Sequence, residues 1–202
     1  MIWVLINKHM ATKINNPFQD VQMRAGDVQR SVNWYQAQVR NVRNIPASVN
    51  RLLAQDTQHL TSRLVPGRLY LFQYDALHAD TLPYWDAMPL VFPFRKLPDG
   101  FLGLNLHYLP YGLRFKLMGA LLDLTVNTPG ADHSMVASYN MLSSSSRYPG
   151  VNVCVKHYLK NQLRSNFLNI PPDQWLAASM MPLEQFQGAT KDTVWRKSRK
   201  AI

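Results

Sequence analysis

Val28, Val32, Tyr35, Val39 and Val42 recur at intervals of four, three, four and three, the apolar stripe of an amphipathic helix. Gly26 breaks the chain before this stripe, Asp27 supplies a cap, and Pro46 stops the helix. Arg30, Arg40 and Arg43 lie on or beside its polar face. A second helical segment is predicted from Ser48, with Val49, Leu52, Leu53 and Leu60 apolar and Arg51 and Arg63 basic. Helices of this length are marginal alone, so the stripes need a surface to cover them.

The period changes after Pro66-Gly67, a turn signal. Leu69, Leu71 and Gln73 alternate with Tyr70, Phe72 and Tyr74, a strand with apolar or aromatic side chains on both faces. "PLVFPF" and "GFLGLNLHYL" are two further strand-like runs, and Asp99-Gly100 between them is a hairpin signal. Pro89 and Pro93 place the first of these runs on a sheet edge or at a bulge. Tight connections between three strands predict an α+β chain built on a small bent antiparallel sheet or SH3-like barrel. "RFKLMGALLDLTV" follows as a helix packed on that sheet, and "SYNMLSSSSRYPG" as a connecting loop. In "VCVKHYLKNQLRSNFLNI", Val155, Leu159, Leu163 and Phe167 repeat every four residues, as do Lys156, Lys160 and Arg164 beside them. That pattern predicts a helix with a cationic flank able to follow a phosphate backbone. "PPDQWLAASMM" gives a short helix with Asp173 in its first turn, and "VWRKSRKAI" adds four cations with Trp195 as an anchor.

The chain thus divides into a flexible extension over 1–25, a basic helical arm over 26–65, a β-rich module over 66–146 and a basic helical segment over 147–202. The opening "MIWVLI" has only six apolar residues, no basic stretch before it and no small-residue cleavage site after it, so it is not a signal peptide; Met10 reads as a natural start. No run of 18 uncharged apolar residues suggests a membrane span. A hydrophobic content of 47% suffices for a core. The formal charge of +10 is unevenly spread. Residues 1–70 hold nine Lys/Arg against three Asp (+6), residues 71–146 four against six (−2), and residues 147–202 nine against three acids (+6). Cationic ends around a near-neutral middle imply an acidic partner, nucleic acid or protein. A single cysteine, Cys154, excludes an internal disulfide framework and suits an intracellular chain.

Asp75, His78, Asp80 and Asp86 fall within twelve residues, which raises a metal-dependent nuclease as a rival function. Their spacing matches no HxH or HExxH ligand pattern, and aspartates are common in turns for local hydrogen-bonding reasons. His107 reads as a hydrogen-bonded core residue and Cys154 as inert packing. No GxxxxGK[ST] or GxGxxG loop occurs, and Gly100 and Gly103 are explained by the hairpin. Tyr84 and Trp85, between Pro83 and Asp86, either dock onto a partner as rigid aromatic contacts or fold back over the module's own core.

The segments "PGRLYLFQYDALHADTLPYWDAMPLVFPF", "GFLGLNLHYLPYGLRFKLM", "CVKHYLKNQLRSNF" and "VWRKSRKAI" together resemble a family of virion-associated structural proteins of T-even-like, largely marine, tailed bacteriophages, related to the DNA end protector and head-completion class. Tyr74-Asp75, Leu82 to Asp86, Pro89 to Val91, Gly100 to Pro110 and Val194-Trp195 carry the similarity; Ala76 and Leu77 depart from it where proline and lysine are usual, and Trp85 replaces a tyrosine. The resemblance implies a non-enzymatic structural or assembly protein of the virion, made in the host cytoplasm and placed at the neck or tail. It implies no catalytic residue, metal, cofactor, membrane or small-molecule substrate. In that reading Asp80, Pro83, Tyr84, Trp85 and Asp86 form a loop docking onto other virion proteins. Arg30, Arg40, Arg43, Lys156, Lys160, Arg164, Arg196 and Lys197 contact double-stranded DNA or acidic protein neighbours. A tail or baseplate component without DNA contact is the nearest alternative.

Overall fold

Leu69 and Leu71 point to one side of a strand and Tyr70 to the other, and all three are buried, as alternation with two apolar faces requires. The computed structural model describes residues 59–126 and 152–201. The helix expected over 27–45, the extension over 1–25 and the connecting loop over 138–150 lie outside the described residues, as do Arg30, Arg40 and Arg43. Of the second helical segment expected from Ser48 only the end is described. There Leu60–Thr61 is not helical but a strand, held by pairing with Phe167 and Leu168, and Arg63 lies in irregular chain after it.

In chain order the elements are β1 (Leu60–Thr61), β2 (Leu69–Leu71), β3 (Trp85–Asp86), β4 (Leu90–Lys96), β5 (Gly100–Asn105), α1 (Tyr111–Val126), β6 (Val155–Leu159), β7 (Phe167–Ile170), α2 (Trp175–Met180), β8 (Phe186–Gln187) and α3 (Lys191–Lys200). Six strands form one antiparallel sheet in the order β1-β7-β2-β4-β5-β6, and β3 pairs with β8 in a separate ribbon. β1 and β6 are not paired with each other, so the sheet is bent but open, and no closed barrel forms among the described residues. The Asp99-Gly100 hairpin joins β4 to β5, closed by Leu97 N donating to Gly100 O at 2.9 Å. Pro93 is not on an edge, because β4 runs between β2 and β5; a register shift between Pro93 and Arg95 accommodates the missing N–H instead.

The helix expected after Cys154 is not there. Val155–Leu159 is a strand paired along its length with β5, Lys160–Gln162 is a single 3-10 turn, and Phe167–Ile170 is a second strand. An interval of four fits a helix face, but it is also a multiple of two and fits a strand face equally well. Lys156, Lys160 and Arg164 therefore lie on a strand, a turn and a connecting loop, and they form no helical stripe.

On one face of the sheet Leu69, Leu71, Leu90, Phe92 and Leu104 pack with Met118 of α1, Trp175 and Ala178 of α2, and Val194 and Trp195 of α3. On the other, Tyr70, Phe72, Tyr74, Phe101, Tyr158 and Phe167 form an aromatic cluster. Phe72 meets Phe167 at 5.0 Å and Tyr158 at 5.3 Å, both edge to face, the arrangement that ring quadrupoles favour. The segment between β6 and β7 is tied across that side by Arg164 N to Gln73 O (2.9 Å) and Asp75 N to Gln162 O (3.0 Å). The helices expected over 114–126 and after Pro171-Pro172 are present, and the cationic tail is itself a helix, α3.

Candidate nucleic-acid interface

α3 is a short helix capped by Thr190, whose Oγ1 accepts from Thr193 N at 3.3 Å. Asp192 sits in its first turn and Lys197, Arg199 and Lys200 in its last, each matching the helix dipole. Its buried side is Val194, Trp195 and Ser198, one residue and one turn apart. At 3.6 residues per turn, Arg196 and Lys200 then face outward, while Lys197 and Arg199 occupy opposite flanks. All four are exposed.

What seats this helix is a buried polar network. Trp195 Nε1 donates to the His107 carbonyl at 2.8 Å, and Arg114 Nη2 donates to the same oxygen at 3.0 Å. Arg114 is fully buried, also donating to Leu109 O (2.6 Å), Ser179 O (3.3 Å) and Glu184 Oε2 (3.3 Å), with Tyr111 and Trp195 rings against its guanidinium. Next to it, His107 Nδ1 lies 2.7 Å from Asp86 Oδ2. An ionised carboxylate only accepts, so Nδ1 carries the donated hydrogen. Asp86 accepts further from Asn105 Nδ2 (3.0 Å), Met88 N (3.1 Å) and Gln185 N (3.1 Å). Burial acts to raise the Asp86 carboxyl, but the His107 charge and these donors outweigh it and hold the group below its ordinary value. Burial acts to raise Glu184 as well, but the charge of Arg114, helped by His107, a backbone hydrogen bond and Lys191, holds it low. His107 Nε2 is buried with no hydrogen-bond partner among the described residues.

Two patches flank α3. On one side Lys197 Nζ lies 4.8 Å from the centre of the half-buried Tyr84 ring, which is 6.0 Å from Tyr108 and 6.3 Å from Phe186. Lys156 Nζ sits 4.1 Å over Tyr108, and its burial lowers the ammonium pKa. Tyr84, Lys156 and Lys197, from three separate stretches of sequence, are thereby brought together. On the other side Arg199 and Lys116, with Pro110, Gly112 and Leu113, line a shallow depression of about 480 Å³.

The remaining sequence candidates scatter. Lys160 Nζ donates to Pro98 O at 2.9 Å, and Arg164 pairs with Asp75 at 2.9 Å. Trp85 packs against the aromatic cluster, and Asp86, expected on the docking loop, is buried in the network. Asp80 and Pro83 stay exposed on the turn over 77–83, together with Leu77 and Leu82, which are 56% and 43% exposed. Asp75, His78, Asp80 and Asp86 do not converge, and among the described residues no three His, Cys, Asp or Glu are grouped to hold a metal ion. Cys154 is packing, its thiol pushed up to about 12 by burial. The sequence reading passed over Lys116 and Arg114; a lone arginine in the apolar "GLRFKLM" is the signal that marks a buried, fully bonded guanidinium. Among the described residues no helix is long and apolar enough to cross a membrane.

A family model described as Phage T4 terminal DNA protecting protein matches residues 7–199. No curated protein and no solved structure matches the chain.

Proposed function

Because the chain belongs to the phage T4 terminal DNA protecting protein family, we propose that it is a non-enzymatic virion protein that covers the ends of the phage DNA, gripping the phosphates with the exposed face of α3. The observation that carries this is the pairing of charge with rigidity. Arg196, Lys197, Arg199 and Lys200 stand on one helix whose opposite face is fastened through Trp195 to the sheet core. Among the described residues no acid is paired with any of the four. Cations held on a fixed element lose little freedom when they meet phosphates, and each one neutralising a phosphate releases counterions. Lys156 and Lys197, each over a tyrosine ring, extend the same positive surface.

The exposed turn over 77–83 supports a second contact, with a protein neighbour at the neck or tail. Leu77 and Leu82 offer it apolar area, and Asp80 and Pro83 complete the loop. The reading as an end protector is tested by digesting linear duplex with an exonuclease and closed circular duplex with an endonuclease, each with and without the protein. Protection confined to the linear substrate, and abolished in Arg196→Glu/Lys200→Glu, is the expected result. Equal shielding of both substrates would sink the end reading, and metal-dependent cutting lost in Asp80→Ala would replace it with the nuclease.

A further inference from the structure

We infer that the depression between the first turn of α1 and the Arg199 flank of α3 receives the terminal nucleotide of a DNA duplex, with its phosphomonoester held by Lys116 and Arg199; this rests on the DNA-end reading above. The lining supplies two kinds of surface. Pro110, Leu113 and the Cα of Gly112 are apolar, while Lys116 and Arg199 are the charged groups, and no acid is among them. At about 480 Å³ and open to solvent, the space can lie against the end of a duplex without having to enclose it.

Each kind of surface favours an end over the interior of DNA. Inside a duplex both faces of every base are covered by neighbours, whereas the last base pair has one face free to lie on an apolar floor. A phosphate monoester carries about −1.5 to −2 charges near neutral pH, against one for an internal diester. An arginine fork and a lysine together suit the doubly charged group. The depression also lies at the first turn of a 16-residue helix, whose dipole adds positive potential there. The outward pair Arg196 and Lys200 has no such selectivity, because it meets the backbone phosphates that every stretch of duplex presents.

Gly112 allows a test that spares the fold. A Cβ built at Gly112 meets nothing within 4 Å, so a side chain there extends into open space at the depression. In the first turn of α1 a glutamate replaces the helix-weakening glycine and suits the dipole. Gly112→Glu therefore keeps the melting temperature while placing bulk and negative charge at the proposed phosphate site.

The experiment is fluorescence anisotropy with four probes: short linear duplexes bearing 5′-phosphate, 3′-phosphate or only hydroxyl ends, and a closed circle. The wild-type chain should prefer one phosphorylated linear duplex over the hydroxyl-ended one and the circle by on the order of tenfold, about one charge-assisted hydrogen bond. Which phosphorylated probe is preferred assigns the terminus. Lys116→Ala and Gly112→Glu should each erase that preference while retaining affinity for the circle. Arg196→Ala/Lys200→Ala should weaken all four probes alike. A folded Gly112→Glu variant that keeps the preference, or a wild-type chain with none, overturns the pocket while leaving phosphate binding by α3 standing. Failure of the wild-type chain to bind any of the four overturns the DNA reading itself.

Discussion

Asp86 shows how much one side chain's role depends on partners distant in sequence. Three aspartates lie within twelve residues, and nothing local separates Asp86 from Asp75 or Asp80. What separates it is the ribbon of β3 with β8, which brings Gln185 N to its carboxylate from 99 positions away, and the turn after β5 that delivers His107. The core role of His107 was legible because it stands inside the apolar "LNLHYL", and the anchoring role of Trp195 because it is the one aromatic ring in the cationic "VWRKSRKAI". The asymmetric fate of the acids was not. The network makes a pH prediction whose sign is fixed by the direction of the shifts. Asp86 and Glu184 both have folded-state pKa values below their ordinary 3.8 and 4.5. Their contribution is therefore complete above those ordinary values and lost as pH falls through the folded ones, where the unfolded chain binds more protons. Thermal melting of the wild-type chain should fall steeply from about pH 5 downward. Asp86→Asn should cost about 3 kcal/mol at neutral pH, since the amide cannot accept at both oxygens and leaves buried donors of His107, Asn105, Met88 or Gln185 without their acceptor. With roughly 2–4 °C per kcal/mol for a chain of this size, that is a drop of roughly 10 °C, and the acid limb of the variant should be shallower. An unchanged acid limb would remove Asp86 from the account.

Among the elements, hairpin, helices and turns were readable where a local signal fixed them: Asp99-Gly100, Pro66-Gly67 and the prolines before α2. β6 was misread because its apolar spacing satisfies both periods, and the β-branched and aromatic run "VNVCVKHY" is what favours the strand. Its backbone decided the matter by pairing with β5, where Gly100 faces Leu159 and Phe101 faces Tyr158. Gly100 records how close that pairing is, since a Cβ there would fall on the Tyr158 carbonyl oxygen. Gly100→Ala should accordingly force β6 away from β5 and destabilise the chain by about 1–3 kcal/mol. Gly112→Ala, at a site with open space, should leave stability unchanged or raise it by about 0.5–1 kcal/mol. The pair of melting temperatures checks this, and similar losses in both would show that the approach of β6 is not tight.

At the scale of the molecule, cationic ends around a near-neutral middle were visible in composition, but the sequence could not say which cations stand free. Lys156, Lys160 and Arg164 had looked like one stripe; the fold spreads them over three elements, gives Arg164 to Asp75 and desolvates Lys156 over Tyr108. Arg196, Lys197 and Lys200 instead share α3 with no acid paired to them among the described residues. The exposed Arg164–Asp75 pair adds little stability, yet the carboxylate beside Arg164 repels an approaching phosphate. The two sets therefore differ in counterion release. Each cation that neutralises a phosphate contributes a slope of about −0.9 in log K against log salt, so Arg196→Ala/Lys197→Ala/Lys200→Ala should flatten the slope by about 2.7. Lys156→Ala/Lys160→Ala/Arg164→Ala should flatten it by about one unit, because one member is half-buried and another faces its own acid. Titration of linear duplex across a range of salt concentrations reads both values. The reverse order would move the phosphate-binding surface from α3 to the far edge of the sheet, where β6 and the turn after it lie.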